Sequence, residues 1–112
     1  MKILLDENID IKFKRFFDTN LHEVFTVRNM NWFGIKNGEL LKLLALHSFD
    51  VFIAVDKNLP YQQNVTTLPV SVIILNVRRN VLSAITKLYP QVEQLICKPI
   101  EKDIFVLNEL IE

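Results

Sequence analysis

Three acidic residues are the first candidates for chemistry in this sequence, because each stands where an apolar segment meets a polar one. Asp6 follows the segment KILL, Asp56 follows VFIAV, and Glu39 opens ELLKLLALH. Clustered carboxylates repel one another unless one takes up a proton or a cation lies between them. Their hard oxygen atoms suit Mg²⁺ or Mn²⁺, which lowers the pKa of bound water and neutralises phosphate charge. These acids are therefore candidate catalytic and metal-binding residues for phosphodiester hydrolysis.

Other polar residues flank the three acids and could support the same site. Glu7, Asn8 and Asn58 could add direct or water-mediated metal ligands, and Lys57 could help to shape the site. Basic side chains contact the phosphates of a nucleic acid whatever its base sequence. Candidates for phosphate contact or for lining the cleft are Arg28, Lys36, Arg78 and Arg79, together with Gln62 and Asn64 of the polar segment YQQN.

Each of these candidates also has a purely structural interpretation. Asp6 could cap the following helix, and Asn37 could cap the next one with Glu39 in its first turn. Asp56 could cap the turn after its strand. The basic residues could be solvated loop charges, and the segment YQQN could begin a helix after Pro60. Spacing alone leaves both interpretations open.

The segments that must position these residues alternate between strand and helix. Alternating or continuous apolar residues predict strands over 2–5, 22–27, 51–55, 70–75 and 103–107, the last at an edge of the sheet. Helical spacing predicts helices over 8–18, 39–47 and 81–96. The second is apolar nearly all round and should be largely buried, and the third should be interrupted near Pro90.

This alternation predicts a three-layer α/β fold with a mostly parallel sheet of four to five strands and helices on both faces. Ligands of such sheets bind beyond the carboxyl ends of the strands. Asp6, Asp56 and Asn76 each follow or end a predicted strand, so we expect them at one edge of the sheet.

Composition narrows the class of protein. The 112 residues, half of them hydrophobic, predict one domain over 1–112 with a single core. The 13 basic and 13 acidic residues balance, so any anion binding must come from a local cluster. The single cysteine, Cys97, excludes an intrachain disulfide and is expected to be a small buried hydrophobe. With no signal peptide and no apolar run of about 20 residues, we expect a cytoplasmic protein without a membrane span.

Three stretches of the sequence resemble the PIN-like group of small nucleases, many of which are described as predicted toxins of toxin–antitoxin pairs. MKILLDEN matches the opening of that group, and HEVFTVRNMNWFGIKNGELLKLL is similar to its middle segment. FDVFIAVDKNLPYQQNV looks like the signature of one branch. The resemblance covers nearly the whole chain. It implies a PIN-like fold, Mg²⁺- or Mn²⁺-dependent ribonuclease activity on RNA, and an antitoxin-like protein or a second copy of the chain as a partner.

The resemblance also assigns residues. It matches Asp6, Glu39 and Asp56 to the acids of the family's first strand, central helix and third strand. Asn37 and Asn58 stand where many members carry Asp, and no residue clearly matches the fourth acid that is usual in PIN nucleases.

Two other functions stay open. A non-catalytic PIN-like protein would keep the fold and bind an antitoxin or a copy of itself. In addition, NGELLKLLALHSFDVFIAVDKNLP resembles part of the receiver domains of response regulators. That resemblance implies Asp56 as phosphoacceptor, Asp6 and Glu7 as Mg²⁺ ligands, and the pair Lys98–Pro99 as the phosphate contact.

Overall fold

A computed structural model describes residues 1–55 and 68–109 of the chain. In this part of the chain, five strands form one sheet in the order β2-β1-β3-β4-β5, and every neighbouring pair is parallel. The strands are β1 (Lys2–Leu5), β2 (Glu23–Thr26), β3 (Val51–Ala54), β4 (Ser71–Asn76) and β5 (Ile104–Asn108). The predicted α/β class is confirmed, and β5 is an edge strand as expected.

Helical segments connect these strands. A 3-10 helix, η1 (Ile11–Phe16), lies between β1 and β2. Two α-helices, α1 (Val27–Met30) and α2 (Asn37–Leu46), lie between β2 and β3. Two more, α3 (Leu82–Thr86) and α4 (Tyr89–Ile96), lie between β4 and β5.

The helix predicted over 8–18 is wrong in type and length, since the structure has a six-residue 3-10 helix there. A turn precedes it, closed by the hydrogen bond from the Ile9 N–H to the Asp6 carbonyl at 3.0 Å. The helix begins only after Asp10, whose carboxylate accepts a hydrogen bond from the Lys12 N–H at 2.9 Å. Asp10 therefore has the capping role that was considered for Asp6.

Of the two other predicted helices, one begins earlier than expected and one is interrupted as expected. α2 begins at Asn37, two residues before its predicted start, with Lys36 at the N-cap position and without a side-chain capping bond. The helix predicted over 81–96 is divided between α3 and α4. Pro90 lies in the first turn of α4, where a missing N–H removes no helical hydrogen bond. The interruption thus comes just before the proline.

Both faces of the sheet are buried, because successive residues of a strand point to opposite sides. Ile3 and Leu5 of β1 belong to a core that includes residues of η1, α3 and α4. Leu4 belongs to a second core, formed with α2 on the other face. The three-layer arrangement predicted from the sequence is therefore present. The single core expected from the chain length is divided into two by the sheet.

The connection from β4 to β5 has the opposite hand to the two other connections that the structure describes. η1 covers one face as the chain moves from β1 to β2, and α2 covers the other face as the chain moves back to β3. These two connections differ both in direction along the sheet and in the face that they cover, so they have the same hand. α3 and α4 lie on the face of η1, yet the chain still moves away from β2. Parallel crossovers share one hand in about 98% of cases, so this sheet includes an exception.

Aromatic rings join η1 and the residue that follows it to α4 on one face of the sheet. The Tyr89 ring lies 6.0 Å from the ring of Phe13 and 5.0 Å from that of Phe17, edge to face in both pairs. The Tyr89 hydroxyl donates a hydrogen bond to the Glu93 carboxylate at 2.8 Å. Burial raises the pKa of Tyr89 far above its usual range, and the hydrogen bond and negative charge of Glu93 raise it further.

α2 is less completely buried than its composition predicts. Leu40, Leu41 and Leu44 face the sheet and are almost inaccessible, whereas the Leu46 side chain is 77% exposed. The apolar residues of this helix thus include one that contributes little to the core.

Two leucines of α2 offer a matched test of this packing. Leu44→Ala should lower the free energy of unfolding by about 2 to 5 kcal/mol, because it removes apolar contacts and leaves a cavity. Leu46→Ala makes the same chemical change on the exposed side and should alter it by less than about 0.5 kcal/mol. Urea unfolding followed by circular dichroism measures both. Equal losses would contradict the orientation of α2.

Candidate functional site

The order of the strands reverses between β1 and β3, and this point is where an open α/β sheet binds ligands. From β1 the chain goes outward to β2, and it then returns past β1 to form β3. The strands are parallel, so their carboxyl ends share one edge of the sheet, which we name the carboxyl edge. The opposite edge, where the strands begin, is the amino edge.

Asp6 lies directly at this reversal point. Its N–H donates a hydrogen bond to the carbonyl of Ile53 in β3 at 2.9 Å, which holds the residue between the two strands. The side chain is only 8% exposed, and its Oδ1 accepts a hydrogen bond from the Glu7 N–H at 2.8 Å. Burying a carboxylate is costly unless hydrogen bonds or a cation compensate for the lost water. Asp6 is thus a buried acid at the edge where ligands bind.

Glu39 also belongs to the carboxyl edge, because α2 runs antiparallel to the strands. The helix ends at the amino edge, where the His47 carbonyl accepts a hydrogen bond from the Lys2 Nζ at 2.7 Å. The first turn of α2 therefore lies at the other edge, and Glu39 is an exposed acid in that turn. Glu7 and Asn8 follow Asp6 and are exposed.

Within residues 1–55 and 68–109, no group of three or more Asp, Glu, His or Cys side chains could hold a metal ion. Asp6, Glu7 and Glu39 therefore do not form such a site by themselves. The predicted site also needs Asp56, which lies outside the described residues. The supporting candidates Lys57 and Asn58 and the substrate-binding candidates Gln62 and Asn64 lie outside them too. The convergence of the three acids stays a prediction. The oxygen donors of this set match the preference of Mg²⁺ and Mn²⁺.

The basic candidates of the described chain are exposed and lie near the carboxyl edge. Arg28 lies in α1 just after β2, and Arg78 and Arg79 follow β4. Lys36 lies at the N-cap of α2 and therefore near the same edge. Their placement agrees with the predicted phosphate contacts, although it does not test them.

Asn76, which was expected at the carboxyl edge, has a structural partner there. Its side-chain amide donates a hydrogen bond to the Asn108 side-chain oxygen at 2.7 Å, and the two residues end β4 and β5 in register. Nearby, the Asn80 side chain donates a hydrogen bond to the Asn8 carbonyl and joins the loops after β4 and β1. These amides hold the carboxyl edge together.

Sequence reasoning missed a basic cavity of about 470 Å³ beside β2. Its walls come from η1, α1 and the end of β2, and its lining includes four cations: Lys12, Lys14, Arg15 and Arg28. Only Arg28 was a candidate, because the other three are the ordinary exposed charges of an amphipathic helix. The segment IKFKRF, with its interleaved basic and aromatic residues, was the available signal.

Lys98 and Pro99 lie at the amino edge, whereas the receiver resemblance requires them beside the acids of the carboxyl edge. Lys98 and Pro99 line a cavity with Met1 and His22, at the start of the strands. Lys98 thus lies on the opposite edge from Asp6, which argues against its role as a phosphate contact beside the acids. Cys97 was expected to be buried, and that prediction is wrong: it is exposed at the C-cap of α4.

No protein-family model, curated protein or solved structure matches this chain. The PIN-like resemblance consequently stays a prediction from the quoted motifs. In the part of the chain that the structure describes, no helix combines the length and apolar character that crossing a membrane requires.

His22 should make folding sensitive to mild acid. Burial lowers its pKa below the usual 6.5, and the positive Met1 amino group lowers it further, while Glu93 and Asp18 act in the opposite direction. The unfolded chain therefore binds a proton at a higher pH than the folded chain does. Stability should be complete above pH 6.5 and should fall as the pH drops below it.

Urea unfolding between pH 5 and 8 checks this expectation. His22→Gln removes the titrating ring, so the variant should lose less stability than the wild type as the pH falls. If both proteins lose the same free energy between pH 7 and 5.5, His22 is not the cause.

Proposed function

We propose that this protein is a metal-dependent ribonuclease of the PIN-like type. One observation carries the proposal: Asp6 is a buried carboxylate at the carboxyl edge, where the strand order reverses between β1 and β3. A buried acid at this place supports ligand binding more than a capping role, because Asp10 caps the helix that follows. The PIN-like motifs around Asp6, Glu39 and Asp56 supply the reaction class.

The proposed roles follow from exposure and position. Asp6 and Asp56 would hold Mg²⁺ or Mn²⁺ directly or through water. Glu39 is exposed in the first turn of α2, and it would orient the attacking water and accept its proton. Bound metal would lower the pKa of that water and neutralise charge on the scissile phosphate.

The substrate would be RNA, held by charge and not by base sequence. Arg28, Lys36, Arg78 and Arg79 lie around the same edge and would contact phosphates. An antitoxin-like protein or a second copy of the chain would be a partner that covers this edge and blocks cleavage.

Purified protein should cleave single-stranded RNA in the presence of Mn²⁺ and should not cleave it in EDTA. Asp6→Asn should lower the cleavage rate by more than about 100-fold, since even outer-shell partners of metal ligands cost 10- to 100-fold when removed. Glu39→Gln should lower it by about 100-fold, because it removes the group that accepts the proton. Gel analysis of a labelled 20-nucleotide RNA measures the rates.

Glu101→Gln is the matched control, because Glu101 is an exposed acid in the loop before β5, on the amino edge. It should cleave at the wild-type rate. Equal inactivity of wild type and Asp6→Asn, without metal binding by either, would refute the nuclease proposal and favour a non-catalytic binding protein.

Metal binding should also stabilise the fold. At a Mn²⁺ concentration of 100 times the Kd, the free energy of unfolding should rise by about 2.7 kcal/mol, because the metal binds only the folded chain. Asp6→Asn should abolish this gain, whereas Glu101→Gln should retain it. Thermal unfolding with and without Mn²⁺ measures the difference, and a gain that survives in Asp6→Asn would place the metal elsewhere.

A further inference from the structure

The basic cavity defined above is a local concentration of positive charge on a chain whose net charge is zero. Four of the 13 basic residues line it, and its lining includes no acidic residue. Ile11, Thr19, Thr26 and Asn29 complete the lining, and apolar atoms form much of its surface. All four basic residues line the same space. A local concentration of positive charge without an acid favours an anionic ligand.

The 3-10 geometry of η1 aligns two of these cations. Residues three apart are eclipsed in a 3-10 helix, so Lys12 and Arg15 lie one above the other, about 6 Å apart along the axis. Lys14 is aligned with Ile11 in the same way. The helix therefore presents Lys12 and Arg15 along one side and Lys14 along another. Cations at successive positions along a helix fit a chain of phosphates better than they fit a single small anion.

The nearest acids in the chain are engaged in turns of the backbone. The Asp10 carboxylate accepts a hydrogen bond from the Lys12 N–H at 2.9 Å. The Asp18 carboxylate accepts one from the Asn20 N–H at 2.8 Å. Both acids flank η1 without lining the cavity. The lining of the cavity thus includes four basic residues and no acidic side chain.

An exposed aromatic ring continues this surface. A second cavity of about 280 Å³ is lined by Lys12, Arg15, Phe16 and Leu82. It shares Lys12 and Arg15 with the basic cavity, so the two are adjacent. Phe16 is 48% exposed, unlike Phe13 and Phe17 of the same segment, which are buried. An exposed ring beside basic side chains is the arrangement on which unpaired bases stack.

The basic cavity leads to the candidate active edge. Thr26, in its wall, is the last residue of β2 and pairs in register with Leu5. Leu5 directly precedes Asp6. A chain of phosphates in this cavity would therefore pass close to the buried carboxylate.

We propose that the two cavities together form a binding groove for single-stranded nucleic acid, in which Lys12, Lys14, Arg15 and Arg28 contact phosphates and Phe16 stacks on a base. The inference rests on the proposed function for the identity of the strand as RNA. It adds a place where the substrate binds outside the acidic site.

Binding of a fluorescent 12-nucleotide oligouridylate in EDTA, followed by anisotropy, tests the groove without any cleavage. The triple variant Lys12→Gln, Lys14→Gln and Arg15→Gln should bind at least about tenfold more weakly. It should also lower the slope of log affinity against log salt by about 2, since each phosphate contact on a single strand contributes about 0.7. The matched control changes three exposed lysines outside both cavities, Lys42, Lys98 and Lys102, to Gln and should bind like the wild type.

Phe16→Ala separates stacking from charge. It should weaken binding by about tenfold and leave the salt slope unchanged, because a base contact releases no counterion. Phe33→Ala removes a comparably exposed ring outside both cavities and should have no effect.

Two outcomes would overturn the groove. The first is wild-type affinity in the triple variant. The second is competition by polyglutamate as strong as that by the oligonucleotide, together with wild-type affinity in Phe16→Ala, which would identify an acidic peptide as the ligand.

Failure of the groove proposal is distinct from failure of the nuclease proposal. Oligonucleotide binding that depends on η1, without Mn²⁺-dependent cleavage, would retain the groove and refute the enzyme. Cleavage that depends on Asp6 but not on η1 would do the reverse.

Discussion

Parallel pairing of β1 on both of its sides is the constraint on which the rest of the structure depends. β1 pairs with β2 through Leu5↔Thr26 and with β3 through Leu5↔Ile53, so its last residue is held between two neighbours. A central parallel strand has no free face, and its four residues KILL must be covered by helices from both sides. The same pairing sends every strand's carboxyl end to one edge. Asp6 owes both its burial and its position to this arrangement.

The sheet was predictable because its strands carry their own signals. Continuous apolar residues such as those of β3, all four of them buried, occur where both faces are covered, and they are recognisable without a partner. The position of Asp6 followed from the same reasoning, since a residue after a parallel strand must lie at the carboxyl edge. The convergence of Asp6 with Glu39 and Asp56 does not follow from the strand signals. It depends on a segment whose residues carry no periodic apolar signal.

The helical regions were less predictable because local hydrogen bonds compete with apolar spacing. Ile9, Phe13 and Phe17 repeat at helical intervals, but the turn at Asp6 and the cap at Asp10 shorten the helix and tighten it to 3-10 geometry. The cations of η1 look like a solvated face in the sequence. They line a cavity only because η1 and α1 lie around the end of β2, an arrangement of distant segments that the sequence does not reveal. The prediction that Cys97 is buried was wrong for a similar reason, since the residue lies at the end of α4 and is exposed.

The reversed hand of the last connection has a consequence for how the chain reaches its fold during synthesis. The aromatic face of η1, near the amino terminus, is completed by Tyr89 and the apolar residues of α3 and α4. A ribosome releases the amino-terminal segment first, so Phe13 and Phe17 meet water until residues 84–96 emerge. Contacts this distant in sequence slow folding. The nascent protein therefore passes through a stage in which its first third exposes an apolar surface that a chaperone can recognise.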